Sequence, residues 1–122
     1  MKIIETKKYL SNMKYLKKKL NYVKINKDLK SILDAIQNGN SDSKAIVGLG
    51  KKYGGNVFKI RVPNLTENKG KSNGFRLIYY LITEQNTIYL ITIYSKKDEN
   101  KNPTNEQLKN WIELGVNENE YI

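Results

Sequence analysis

The chain has 122 residues, enough for one domain with one modest core. Its 39% hydrophobic, 10% aromatic and 28% charged residues argue against wholesale disorder and against a membrane protein, and lead to the expectation of a soluble globule. With no Cys and no His, the sequence excludes disulfides, thiolate nucleophiles and cysteine zinc sites, and any catalysis falls to Lys, Arg, Tyr, Ser or carboxylates; 22 basic against 12 acidic residues, a net +10, call for an anionic partner.

Lys2 to Glu5 reads as a short first strand. Leu10, Met13, Leu16, Leu20 and Val23 then form an apolar stripe at helical spacing, with Lys14, Lys17, Lys18 and Lys19 largely off it. A second helix follows, with Asn26 or Asp28 as its cap, Leu29, Ile32, Leu33 and Ile36 on one face, and Asn38-Gly39-Asn40 as its stop. The two helices make a helical hairpin.

Beyond Gly39 the period changes from 3.6 to 2, and four glycines in residues 48–55 precede a strand from Val57 to Val62. Phe58, Ile60 and Val62 share one face of it; Val57, Lys59 and Arg61 share the other. Pro63 and a polar loop from Asn64 to Asn73 end it. Phe75 to Thr83 and Thr87 to Tyr94 read as a hairpin joined by Glu84-Gln85-Asn86. Thr104 to Gln107 is a capping box opening a last helix with Leu108, Trp111 and Ile112, which Gly115 is expected to stop. The fold expected is α+β: an N-terminal helical hairpin on a mainly antiparallel sheet of about four strands, with a C-terminal helix. Residues 1–115 make the domain and 116–122 an acidic tail.

Charge is polarised along the chain. Residues 1–30 carry ten Lys against Glu5 and Asp28; residues 59–76 carry Lys59, Arg61, Lys69, Lys71 and Arg76 against Glu67; from Asp98 to Ile122 six carboxylates face two lysines. No apolar stretch has signal-peptide length, so a cytoplasmic location is expected, and the Asn64 to Thr66 sequon is then without consequence. The stripe of the first helix lacks Trp and Phe anchors, which disfavours membrane binding. Gly70-Lys71-Ser72 is not a P-loop, because Leu65 stands where its first glycine belongs; Gly48 and Gly50 do not continue as a dinucleotide motif, because Tyr53 stands third.

Only two of the 22 basic residues are Arg, and both Arg61 and Arg76 fall in predicted strands. Where lysine is the default cation, two arginines in a sheet point to a planar fork gripping a phosphate, against the plainer alternative of sheet-edge salt bridges. Tyr94 and Lys96 share strand parity at the end of the last strand, with Lys97 beside them, and antiparallel pairing brings them towards Arg76. The nine Tyr read mostly as half-buried strand and helix residues whose hydroxyls reach the surface, with some as candidates to stack bases.

The segments VFKIRV at 57–62, NKGKSNGFRLIYYL at 68–81 and TIYLITIYSKKDENKN at 87–102, in this order after two helices, resemble the RelE/ParE toxin superfamily of bacterial type II toxin–antitoxin pairs, in its RelE/HigB-like branch. The resemblance covers roughly residues 2–114. It implies a toxin that is a ribosome-dependent mRNA endoribonuclease, an mRNA interferase that inhibits translation, held inactive by a cognate antitoxin that is acidic or carries an acidic segment. It implies no metal and no cofactor: the ribose 2′-hydroxyl attacks the adjacent phosphate while basic groups stabilise the transition state. Arg76 would be the main phosphate ligand and Lys96 or Lys97 would stabilise charge or assist the leaving oxygen. Lys69 and Lys71, with Lys59 and Arg61, would hold the RNA backbone, and Tyr94 would stack on a base or position the 2′-hydroxyl. Family members with a tyrosine just after the basic turn have no counterpart in residues 98–101, and the only later one is Tyr121. The general base is therefore unassigned, a lysine with a lowered pKa being one alternative. Two other functions fit the same sequence: a ParE-like inhibitor of DNA gyrase acting by protein contact, and a non-catalytic basic RNA-binding module.

Overall fold

A computed structural model describes residues 1–19, 21–64, 74–98 and 102–120. The fold is α+β. Five strands, β1 (Lys2–Glu5), β2 (Lys44–Ile46), β3 (Asn56–Val62), β4 (Phe75–Ile82) and β5 (Thr87–Ser95), form one sheet in the order β1-β5-β4-β3-β2. Every pairing is antiparallel except β1 with β5, which run parallel from Lys2 opposite Thr87 to Glu5 opposite Leu90. The helices are α1 (Lys7–Lys18), α2 (Ile25–Gln37) and α3 (Asn105–Glu120). The strand beyond the expected four is β2, three residues too short and too exposed to show a period of two.

The two faces of the sheet are covered separately. On one, Ile60 and Val62, Phe75, Leu77 and Tyr79, and Ile88, Leu90 and Ile93 pack with Tyr9, Met13 and Leu16 of α1 and Ile25, Leu29, Ile32 and Ile36 of α2. On the other, Val57, Ile78, Tyr80, Ile82, Tyr89, Ile91 and Tyr94 pack with Leu108, Ile112 and Val116 of α3. Burying one such aliphatic or aromatic side chain contributes roughly 1.5–3 kcal/mol, so the amphipathic faces, more than helix propensity, hold α1 to α3 in place. The first-face residues of β5 run Ile88, Leu90, Ile93, a change of parity after Leu90. It arises at a bulge: Ile78 faces Thr92 but Tyr79 faces Leu90, leaving Ile91 as the extra residue.

Helix α1 is rotated from the expected stripe. Tyr9, Met13 and Leu16 are buried, while Leu10 is 48% and Val23 63% exposed; Leu20 lies outside the described residues. The reason is the cap. Thr6 is buried at the end of β1, where its Oγ1 donates to Leu90 O (2.8 Å) and accepts from Tyr9 N (3.3 Å), so the strand fixes the rotation of the helix that follows. Thr6→Ala is expected to cost about 1–2 kcal/mol, read as a lower urea midpoint at unchanged slope.

Helix α2 starts after Lys24 without a side-chain cap, and Asp28, one of the expected caps, is buried in its first turn. It ends where expected, with Asn40 N donating to Ala35 O (2.9 Å) and Gly39 N to Ile36 O (3.2 Å), a Schellman motif. Helix α3 opens on the expected capping box: Gln107 N donates to Thr104 Oγ1 (3.1 Å), and Thr104 N to Gln107 Oε1 (2.9 Å). It does not stop at Gly115. The helix runs on to Glu120 because Val116 is a core residue, so residues 116–120 are helix where a tail was expected. Gly115 is there for close approach: a Cβ would stand 2.7 Å from Thr6 Cγ2, at the junction of α3 with the start of α1.

Candidate functional site

The α3 face of the sheet is only half covered. Its other half carries the residues singled out from the sequence, brought together by register. Arg61 of β3 stands opposite Arg76 of β4, and Arg76 stands opposite Tyr94 of β5, one row across three strands. One step along, Lys44 of β2 faces Lys59 of β3. The bulge in β5 is what completes the row. Were β5 paired regularly through all its residues, Tyr94 would share the parity of Ile88 and Leu90 and point into the helical-hairpin core; the bulge at Ile91 shifts the parity and turns the ring to the face of Arg76.

Two adjoining concavities open on this row. One, of about 400 Å³, is lined by Asp42, Lys44, Lys59, Arg61 and Arg76. The other, of about 320 Å³, is lined by Lys59, Arg76, Tyr94, Lys96, Asp98 and Asn102. Lys59 and Arg76 belong to both. Together five cations (Lys44, Lys59, Arg61, Arg76, Lys96) stand with two carboxylates (Asp42, Asp98), a surplus of three positive charges on one open surface.

Arg76 is the buried member, 6% exposed, and its Nη1 donates to Phe75 O at 3.1 Å. Burial first, and the facing Arg61 second, push its guanidinium pKa down, partly offset by Tyr94. Both causes disfavour its charge, and a bound anion offsets them by direct attraction. Arg61 is exposed beside it and Lys59 half-buried. Lys59 Nζ stands 6.0 Å from the centre of the Tyr94 ring, and Tyr94 Oη donates to Asn102 Oδ1 at 3.2 Å, which fixes the ring between them. Lys96 is held by its backbone, Lys96 N donating to Gly74 O at 3.0 Å.

Of the residues expected from the sequence, the fold thus gathers Lys59, Arg61, Arg76, Tyr94 and Lys96. Lys97 follows in the exposed turn and lines neither concavity. Lys69 and Lys71 lie outside the described residues, as does most of the expected polar loop and Tyr121. Sequence reasoning missed Lys44, Asp42, Asp98 and Asn102. Lys44 sits on a strand too short to detect, and the others are loop residues that only the folded chain brings beside the row.

Among the described residues no group of three or more carboxylates stands close enough to hold a metal ion. No helix of the described residues is long and apolar enough to cross a membrane. The arrangement is suited to a phosphodiester: two guanidiniums in one row to take its oxygens, a tyrosine ring beside them for a base or ribose, and an ammonium and a carboxylate within the same hollow for proton traffic. No family model matches the chain.

Proposed function

We propose that this chain is the toxin of a type II toxin–antitoxin pair, a metal-independent endoribonuclease of RelE/HigB type that cuts mRNA on the ribosome and so inhibits translation. The observation that supports it most is the row Arg61–Arg76–Tyr94, with Arg76 buried against a second arginine. Holding two like charges face to face costs stability, and an anion bound between them removes the cost, so the site is complementary to something that carries negative charge.

In the reaction, the ribose 2′-oxygen attacks the adjacent phosphorus and the bond from phosphorus to the 5′-oxygen breaks. A 2′,3′-cyclic phosphate and a 5′-hydroxyl result. Arg76 and Arg61 hold the non-bridging oxygens and take up the charge that grows on them. The Lys96 ammonium gives the 5′-oxygen its proton. The carboxylate of Asp98, in the same concavity as Tyr94 and Lys96, is the acceptor that the geometry offers for the 2′-hydroxyl proton. The partners of this reading are mRNA and the ribosome, and an antitoxin whose acidic segment covers the cationic row. Its location is the cytoplasm.

The test is induced expression of the chain alone in a bacterial host, with mRNA ends mapped over translated and untranslated stretches. Cuts confined to translated codons are expected. Growth arrest with blocked DNA supercoiling and intact mRNA would replace this reading with gyrase inhibition. Salt-sensitive RNA binding without cleavage, on or off the ribosome, would leave a non-catalytic RNA-binding module.

A further inference from the structure

We infer that a second hollow, between α1, the open edge of β5 and α3, is a nucleobase subsite that reads one base next to the phosphate held at Arg76; this rests on the RNA-binding part of the function proposed above. Strand β1 ends at Glu5, opposite Leu90, and Thr6 Oγ1 then closes the Leu90 carbonyl. Past that point α1 turns away, and among the described residues no strand pairs with that side of Thr92 to Ser95. The space left is a cavity of about 190 Å³, lined by Asn12 and Tyr15 of α1, Thr92, Tyr94 and Ser95 of β5, and Trp111 of α3.

Its chemistry differs from that of the cationic row. Among the described residues its charged lining is Lys8 and Asp98, one of each sign, unlike the cationic surplus of the row. Three aromatic side chains and several neutral hydrogen-bonding groups suit a flat, uncharged, polar ring. Lys8 Nζ, 4.3 Å from the centre of the Trp111 ring, anchors the indole. Thr92 Oγ1 donates to Asn12 Oδ1 at 2.6 Å, which orients the amide and leaves its two N–H donors for the edge of a ligand. Such a cavity is smaller than those that hold drug-sized ligands.

Its position ties it to the row. Tyr94 and Asp98 line both this cavity and the concavity of Lys59, Arg76 and Lys96. Tyr94 is also the cross-strand partner of Arg76. A nucleotide whose phosphate sits at Arg76 therefore has one tyrosine ring between that phosphate and a pocket for the adjoining base.

Trp111 is the only tryptophan of the chain, so its fluorescence reports this cavity directly. The experiment titrates the full chain with four 2′-deoxy trinucleotides, each of a single base, which bind but have no 2′-hydroxyl to react. One base is expected to change Trp111 emission with a half-saturation at least about fivefold lower than the weakest, the worth of about one well-made hydrogen bond. Asn12→Asp keeps the acceptor for Thr92 but loses the N–H donors, and is expected to bring the four within about twofold; Asn12→Leu should do the same. Arg76→Met should weaken all four alike. The inference is overturned if no trinucleotide changes the emission, if all four do so equally, or if the preference survives both Asn12 variants. An acidic peptide that moves the emission where no trinucleotide does would assign the cavity to a protein and overturn it too. Binding here needs no cleavage: base-selective binding by a chain that cuts no mRNA would sink the nuclease reading alone, whereas mRNA cleavage with a silent Trp111 would sink this one alone.

Discussion

Arg76→Met is expected to lower mRNA cleavage by about 10²–10³ while leaving the folded state as stable as before, within about 1 kcal/mol, or more stable. The two halves of this result have one cause. Arg76 is 6% exposed on a central strand and faces Arg61, so both burial and its neighbour oppose its charge and push its pKa down. Methionine of similar length keeps the packing, removes the desolvated charge and the repulsion, and gives up the hydrogen bond to Phe75 O together with the other contacts of Arg76. Any gain should shrink as salt screens the Arg61–Arg76 repulsion, which urea unfolding at low and high ionic strength would show. Arg76→Lys should fall between, since an ammonium keeps the charge but cannot hold two phosphate oxygens in one plane. If Arg76→Met unfolds several kcal/mol more easily and loses cleavage only in proportion to the folded fraction, Arg76 is a structural residue and the phosphate site is wrong.

Much of this site was legible in the sequence because its carriers lie on strands with plain alternation. Lys59 and Arg61 fall opposite Phe58, Ile60 and Val62, so their face was fixed once that strand was seen. That Arg76 and Arg61 would stand directly across from one another was not legible, since it depends on the register between β3 and β4, which local pattern does not set. Tyr94 shows the limit most clearly. Parity counted from Ile88 and Leu90 puts it in the core, and only the extra Ile91 turns it to Arg76. A bulge has no signature here, because Ile91 is as apolar as its neighbours and both faces of β5 are buried. For α1, the spacing of apolar residues allowed two phases, and the choice was made by Thr6, a residue outside the stripe, through its bond to Leu90 O. Gly115 misled for a related reason: a glycine after an apolar run reads as a helix stop, but here it is the small residue that lets α3 pass Thr6. In each case the missing information was a long-range contact that local pattern does not encode.

Gly55→Ala is expected to destabilise the fold by about 3 kcal/mol, the upper range for one methyl group forced into a packed interior. A Cβ at this position would stand 2.6 Å from Tyr80 Cζ and 2.7 Å from the backbone oxygen of Leu81, and the second of these cannot swing aside. Tyr80 itself has no exposed surface. Its hydroxyl donates to Gly50 O and accepts from Gly55 N at 3.1 Å, so one phenol holds both ends of the turn from Gly50 to Gly55 in the loop between β2 and β3. Burial pushes the Tyr80 hydroxyl pKa up, which keeps it protonated and able to donate. Tyr80→Phe keeps the ring and loses both hydroxyl bonds, while Gly55 N still donates to Gly50 O at 3.2 Å, and is expected to cost about 1 kcal/mol. The loop packs Leu49 and Tyr53 against the α3 cluster, and Ile46 of β2 packs there as well. Loosening it therefore frees β2, which carries Lys44 into the cationic row. Both variants should lower the urea midpoint and, in the fraction that stays folded, weaken RNA binding at low salt by about the share of one cation. Trp111 emission with bound trinucleotide should hold its base preference, because that cavity lies across the sheet at β5 and takes nothing from β2. Loss of the preference in Tyr80→Phe, in protein that is still folded, would mean that the two ends of this sheet face are coupled and that base reading is not local to Asn12.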